Sequence, residues 1–362
     1  MSDTTQYKEE NEIVNPRSYQ PLVYATRGDI VESIHWGAIA VVDKNGKLFA
    51  SFGDPELVTY LRSSSKPIQA LPLIELGGAE QYHLSDREIA LMCASHRGLD
   101  MHVEVLQGLQ SKIGIQESDL RCGTHPVSDK ATAEAMLLRG EQPGQNRHNC
   151  SGKHTGFLAQ AILRGKSIDN YISIDHPVQQ LVLKTFSEMA HVPEENIHLG
   201  IDGCSVPVFG VPLRNAGWAF ASLCDPDELA PTRAAACKKI TSAMTSAPEM
   251  VSAPGQFDSE LMRIGRGKII TKGGAEGYQA IGLLPGAIEE NSPALGIVFK
   301  ISDGDSINRA RPVVAIEILR QLGALDDEQI AALAPFDQRP IQNWRKLEVG
   351  QLKPVFQLNF NQ

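Results

Sequence analysis

The stretch GKIITKGGAEGYQAIGLLPGAIEENSPALGIVFKIS, residues 267–302, decides the fold. It holds three apolar runs, GKIITK, YQAIGLLP and ALGIVFKIS, separated by the glycine-rich GGAEG and the turn-rich GAIEENSP. Short apolar runs bounded by Gly, Pro, Asn and Ser read as strands joined by turns, so this part of the chain predicts an antiparallel meander. Near the other end, GAIAVVD and LFASFG flank KNGK, which carries Asn45-Gly46; Asn-Gly between apolar runs is a strong hairpin signal. From Ser85 to about Met262 the pattern turns helical. SDREIALMCASH begins with Ser85 as N-cap and Glu88 at the capping-box spacing. HTGFLAQAILRG, HPVQQLVLKTFSEMAHV and DPDELAPTRAAACKKITSAMTSAP carry helical periodicity, and ARPVVAIEILRQLGAL closes the pattern with a helix. Strands at both ends and helices between them predict an α/β (α+β) fold, a mainly antiparallel sheet assembled from both termini around an inserted helical region. No repeat or linker divides the chain: residues 1–18 are expected to be a flexible polar segment and 19–362 a single domain.

Composition narrows the function classes. A 42% hydrophobic and 21% charged chain is ordinary globular material. Its net charge of −9 argues against nucleic-acid binding, which needs a basic face. No apolar run reaches the roughly 18–20 residues that span a bilayer, and MSDTTQYKEENE lacks the basic start and apolar core of a signal peptide. The cytoplasm is the expected compartment. Cysteines 93, 122, 150, 204, 224 and 237 show no framework spacing and are expected to be reduced.

Several short motifs place nucleophiles beside bases. In YLRSSSKPIQA, residues 60–70, Ser63 and Lys66 stand three apart, which can bring hydroxyl and amine onto one face of a helical turn. A serine needs a base. A lysine serves only when neutral, and moving its pKa from about 10.4 to near 7 discriminates against the charged form by about 4 kcal/mol. Lys66 precedes Pro67, which disfavours helical geometry at Lys66. Either the helix begins just before Ser63 with Pro67 in its first turn, or it begins at Pro67 and Lys66 caps it while a different serine faces it. Read alone, the pair is more commonly an N-cap serine beside a solvated lysine. NCSGKHTG, residues 149–156, is not a phosphate loop: Arg147 replaces the opening glycine and His154 follows Lys153 where Ser or Thr is required. Cys150 and Lys153 there, and Cys204 with Asp202 in GIDGCSVPVFG, offer thiols in polar turns, whereas Cys122 and His125 lack a partner pair at zinc spacing. CASHRG sets Ser95 and His96 at a helix end, and TKGGAEG sets Lys272 at a strand end before glycines.

Taken in order, RGDIVESIHWGAIAVVD, RSSSKPIQALPL, CASHRG, HNCSGKHTG, GIDGCSVPVFGVPL and TKGGAEG resemble the L-asparaginase II family of the Rhizobium etli type, from about Leu22 to Leu322. The resemblance implies a fold like that of serine β-lactamases and glutaminases, and hydrolysis of L-asparagine to L-aspartate and ammonia. It implies two serine–lysine tandems, Ser63 with Lys66 and Ser95 with Lys272. It implies substrate contacts at Arg62, Asp202, His154 and Gly273, a zinc site at Cys150, Lys153 and Cys204, and a homodimer. The alternatives are a β-lactamase-like or glutaminase-like serine amidohydrolase of other specificity and a non-catalytic amino-acid-binding protein.

Overall fold

A computed structural model of the chain describes residues 18–337 and 340–361. The strands are β1 (Gln20–Arg27), β2 (Ile30–Asp43), β3 (Leu48–Phe52), β4 (Val58–Tyr60), β5 (His198–Ile201), β6 (Pro207–Pro212), β7 (Ile269–Gly273), β8 (Tyr278–Leu283), β9 (Leu295–Ile301), β10 (Pro340–Gln342), β11 (Glu348–Pro354) and β12 (Asn359–Phe360). The large sheet runs β10-β11-β1-β2-β9-β8-β7, with β3 on β2 and β12 on β3, and its pairings are antiparallel. The expected meander is therefore β7-β8-β9. It joins the N-terminal strands where β9 pairs with β2, from Gly37↔Ile301 to Asp43↔Leu295. The β2–β3 turn uses Gly46 at φ +76°, and Asp43 Oδ1 accepts from the backbone N–H of Asn45 and Lys47.

The apolar continuity of GAIAVVD has a packing cause. Successive side chains of a strand point to opposite faces, and here both faces are covered. Ala38, Ala40 and Val42 join a core with the helical region, whereas Ile39 and Val41 join a second core that includes Val313, Ile316 and Leu319 of the helix Ala310–Gln321. The helical region includes Lys66–Glu75, Asp86–Met92, Ser151–Leu163, Pro177–Ala190, Leu213–Cys224 and Pro231–Ser246. The capping box is formed: Glu88 N–H donates to Ser85 Oγ and Ser85 N–H to Glu88 Oε2.

Three expectations need correction. The span 85–262 is not wholly helical, because β5 and β6 lie within it and form a second sheet, β4-β6-β5. The helix in DPDELAPTRAAACKKITSAMTSAP starts only at Pro231, whose fixed φ suits a first turn. The chain does not close on the helix Ala310–Gln321, since β10, β11 and β12 return to the sheet. Of the polar segment expected at 1–18, residues up to 17 lie outside the described ones; Ser18 is buried and its hydroxyl donates to Asp54 Oδ2. The six cysteines are buried and free of disulfides. Among the described residues, no helix is long and apolar enough to cross a membrane.

Candidate active site

The backbone deals the three serines of RSSSK different positions. Residues Arg62–Ser65 form a 3₁₀ turn that runs directly into the helix Lys66–Glu75, with Pro67 in its first turn. Lys66 is helical at φ −58°, ψ −38° despite the proline after it, because the preceding turn already fixes its entry. Arg62 stands at φ +52°, a left-handed conformation that costs roughly 1–2 kcal/mol in a residue with a Cβ, and such strain gathers at functional sites. The Ser64 hydroxyl donates to the Lys272 carbonyl (2.7 Å) and the Ser65 hydroxyl to the Arg62 carbonyl (2.9 Å). The Ser63 hydroxyl has no hydrogen-bond partner among the described residues, and Ser63 lines a cavity of about 310 Å³.

Ser95, His96, Arg97, Ser128, Asn149, Asp258, Lys272, Gly273 and Arg311 also line that cavity. Lys272 arrives at the end of β7, and its Nζ donates to the Gly273 carbonyl (2.6 Å). Gly274 after it is required by close approach to backbone, and Gly273 leaves room for the Arg311 side chain. A Cβ on Gly273 would lie 2.6 Å from Arg311 Nη1, and one on Gly274 would lie 2.5 Å from the Leu61 carbonyl oxygen. Burial, and then the charge of Lys66, push the Lys272 amine down to about 7. Burial alone would raise the Asp258 carboxyl. The charges of Lys272 and Arg311, with hydrogen bonds from Gln279 and the Gly273 N–H, hold it below the ordinary range.

Lys66, fully buried, donates to the Ala94 carbonyl, to Ser95 Oγ (3.0 Å) and to the Asn149 carbonyl (3.4 Å). An ammonium has three hydrogens and no acceptor, so these oxygens match its full donor count. No hydrogen bond joins Lys66 to Ser63: the contact in the structure is Lys66–Ser95, across the two tandems expected from sequence. Ser95 is held in place by its N–H on the Val251 carbonyl. His96 Nδ1 accepts from the Gly98 N–H and its Nε2 donates to Ser151 Oγ (2.8 Å). Burial, then the neighbouring His102, press the His96 pKa well below its usual value, which keeps the ring neutral.

Cys150, Lys153 and Cys204 converge behind this cavity, each at most 4% exposed. Lys153 Nζ lies 3.0 Å from Cys204 Sγ. The hydrogen bond from Cys204 lowers the Cys150 thiol well below its usual value, although burial opposes this. The same bond, with burial, raises Cys204. Burial alone would lower Lys153, but the charges of Cys204 and Cys150 beside it raise it above its ordinary value. Among the described residues no three His, Cys, Asp or Glu side chains gather as a metal cluster, so two sulfurs and an amine are the donor set this place offers. The two sulfurs suit zinc, whereas Lys153, held charged by the cysteines beside it, would have to lose its proton to serve as a nitrogen ligand.

The expected substrate contacts divide. Gly273 lines the cavity, and Arg62, Asp202 and His154 are not among its lining residues. Arg62 Nε donates to Asp202 Oδ1 (2.8 Å), tying the serine turn to the loop that carries Cys204. His154 is fully buried, with Nδ1 2.7 Å from the Tyr171 hydroxyl. Sequence motifs missed Asp258 and Arg311, which sit at ordinary helix starts with no local signal of function. A larger hollow, about 510 Å³ between β1 and β11, has no lysine, histidine or cysteine in its lining to activate a hydroxyl.

The sequence model of the L-asparaginase II family matches residues 23–354. No curated protein matches the chain. Among solved structures, the chain is similar to Mglu in its native form (13% identity over 80% of this chain and 62% of that one, TM-score 0.39). It is also similar to a probable glutaminase of Bacillus subtilis (12% identity over 80% of this chain and 89% of that one, TM-score 0.37). The alignment thus spans less than two thirds of Mglu. The family match covers nearly all of the sequence that forms the sheet and the cavity, and the chain belongs to the L-asparaginase II family.

Proposed function

We propose that the chain hydrolyses L-asparagine to L-aspartate and ammonia, with Ser63 as nucleophile. Family membership supports an amidohydrolase. The observation that carries the finer reading is the unpartnered Ser63 hydroxyl, in one cavity with a lysine whose pKa is pulled to about 7. A general base works best with a pKa near the working pH. The cavity volume lies at the small end of ligand sites, which suits an amino acid.

In this reading the tandem lysines exchange partners. Ser63 Oγ attacks the side-chain carbonyl carbon while Lys272 Nζ takes its proton. The tetrahedral intermediate expels ammonia, which receives a proton from Ser95 Oγ, and Lys66 replaces that proton through the bond it makes to Ser95. Water then attacks the aspartyl ester, its proton passes through Ser95 to the neutral Lys66, and Lys272 returns a proton to Ser63. Before the reaction starts, the positive charge of Lys66 beside the site favours neutral Lys272.

Cys150, Lys153 and Cys204 would hold the zinc that the family resemblance implies. Bound there, its positive charge would stabilise thiolates and a neutral amine, so binding would be coupled to loss of protons from the cysteines and Lys153. A cytoplasmic homodimer completes the proposal on the resemblance alone, and sedimentation of the purified protein tests the dimer.

Ammonia release from L-asparagine and L-glutamine, measured beside lactam opening of a penicillin, tests the reading. Release from asparagine well above that from glutamine, without lactam opening, supports it. Preference for either other substrate overturns it.

A further inference from the structure

Two guanidiniums line the cavity without a direct ion-pair partner among the described residues. Arg97 follows the Ser95 stretch, and its backbone N–H is fixed on the Ser252 carbonyl. Its Nη2 donates to Gln256 Oε1, while its Nε and Nη1 have no acceptor among the described residues. Arg311 comes from the first turn of the helix Ala310–Gln321. Its Nε is fixed by Asn308 Oδ1 (2.9 Å) and its Nη1 by the Gly274 carbonyl (2.8 Å). That leaves the Arg311 Nη2 hydrogens without an acceptor among the described residues. The absence of a Cβ on Gly273 lets the guanidinium lie against the strand.

Neither arginine forms an ion pair with a described acidic residue. Asp258, the one carboxylate of the cavity lining, has both oxygens occupied, Oδ2 by the Gly273 N–H and Oδ1 by Gln279. Burial, then the charge of Arg311, lower the Arg97 pKa, and the charges of Asp258 and Asp129 only partly offset this. A half-buried pair of cations is relieved by an anion, and a guanidinium fork matches a carboxylate in geometry as well as charge.

We propose that Arg97 and Arg311 form the carboxylate-binding end of the cavity and hold the α-carboxylate of the substrate while Ser63 faces its side-chain amide. The amide half of this assignment rests on the proposed asparaginase reading. The carboxylate half does not, because a glutamine or a penicillin also carries one.

The test is calorimetric titration of L-aspartate into the full chain and into Arg97→Gln, Arg311→Gln and Arg311→Lys, with thermal melting of each. Loss of a charged hydrogen bond predicts binding weaker by roughly 30-fold or more in each Gln variant. Arg311→Lys, which keeps charge but not the fork, falls between. Inhibition by 3-aminopropanamide, which is asparagine without its carboxylate, stays unchanged in all of them. Affinities for L-aspartate within about threefold of the parent in Arg97→Gln and Arg311→Lys, both melting normally, overturn the proposal. If the parent binds L-aspartate through these arginines yet releases no ammonia from asparagine, the anchor stands and the asparaginase reading falls.

Discussion

Three consecutive serines leave the chain at three angles, and their hydrogen bonds separate them. Ser64 is spent on the Lys272 carbonyl and Ser65 on its own turn, which leaves the Ser63 hydroxyl for chemistry. Sequence could place Ser63 and Lys66 on one face, but it could not show that Lys66 would reach instead for Ser95, 29 residues away in the chain. That choice depends on where a different segment is packed. Lys272 carries two predictions. Since its neutral form is the proposed base, kcat/KM for asparagine rises with pH through about 7, and a profile flat from pH 5.5 to about 8.5 removes it from that role. The same shift affects stability. Between about 7 and the ordinary lysine value of 10.5 the unfolded chain binds the proton and the folded one does not, so stability rises with pH across that window. Below it the full cost of burying the ammonium, several kcal/mol in order of magnitude, is present. Lys272→Met therefore loses activity but melts at higher temperature than the parent at pH 6, with the gap narrowing toward about pH 10. An unchanged gap at the two pH values contradicts the sign.

At the scale of elements, glycines explain how separate motifs reach one cavity. Gly152 lies so close to the Leu91 carbonyl that an added Cβ would collide with backbone, which cannot swing aside. This seats the helix Ser151–Leu163 on the end of Asp86–Met92 and brings Asn149 and Ser151 to Lys66 and His96. Gly152→Ala should cost about 1–3 kcal/mol, the usual range for overpacking, read as a lower midpoint in urea. It should also reduce turnover, because Ser95 follows that helix end. A midpoint unchanged by the substitution would show that the helices are not in contact there. The Ser85 capping box was legible because its signal lies within four residues. β6 was not, since prolines at Pro207 and Pro212 make it look like a turn, and β11 was not, because Glu348, Gln351 and Lys353 are exposed rather than apolar.

The whole molecule is held by the pairing of β2 with β9, which closes the sheet across more than 250 residues of intervening sequence. That closure was foreseeable from apolar strands at both ends. The return of β10–β12 and the extra sheet β4-β6-β5 were not, because half-exposed strands owe their existence to partners rather than to pattern. Within the closed span, the turn between β5 and β6 brings Cys204 to Lys153 at the start of the helix Ser151–Leu163, beside Cys150. If these hold zinc, elemental analysis of purified protein finds about one metal per chain, and Cys204→Ser loses it and melts earlier. Full metal retention in Cys204→Ser moves the site elsewhere. The central claim is that this fold delivers Ser63 as the nucleophile of an amidohydrolase. Ammonia release from L-asparagine by Ser63→Ala, beside the parent and Ser65→Ala, tests it most directly. Ser63→Ala is expected to lose roughly 1,000-fold or more in kcat, with near-parent rates for Ser65→Ala. Full activity in Ser63→Ala, with a normal melting curve, would contradict it.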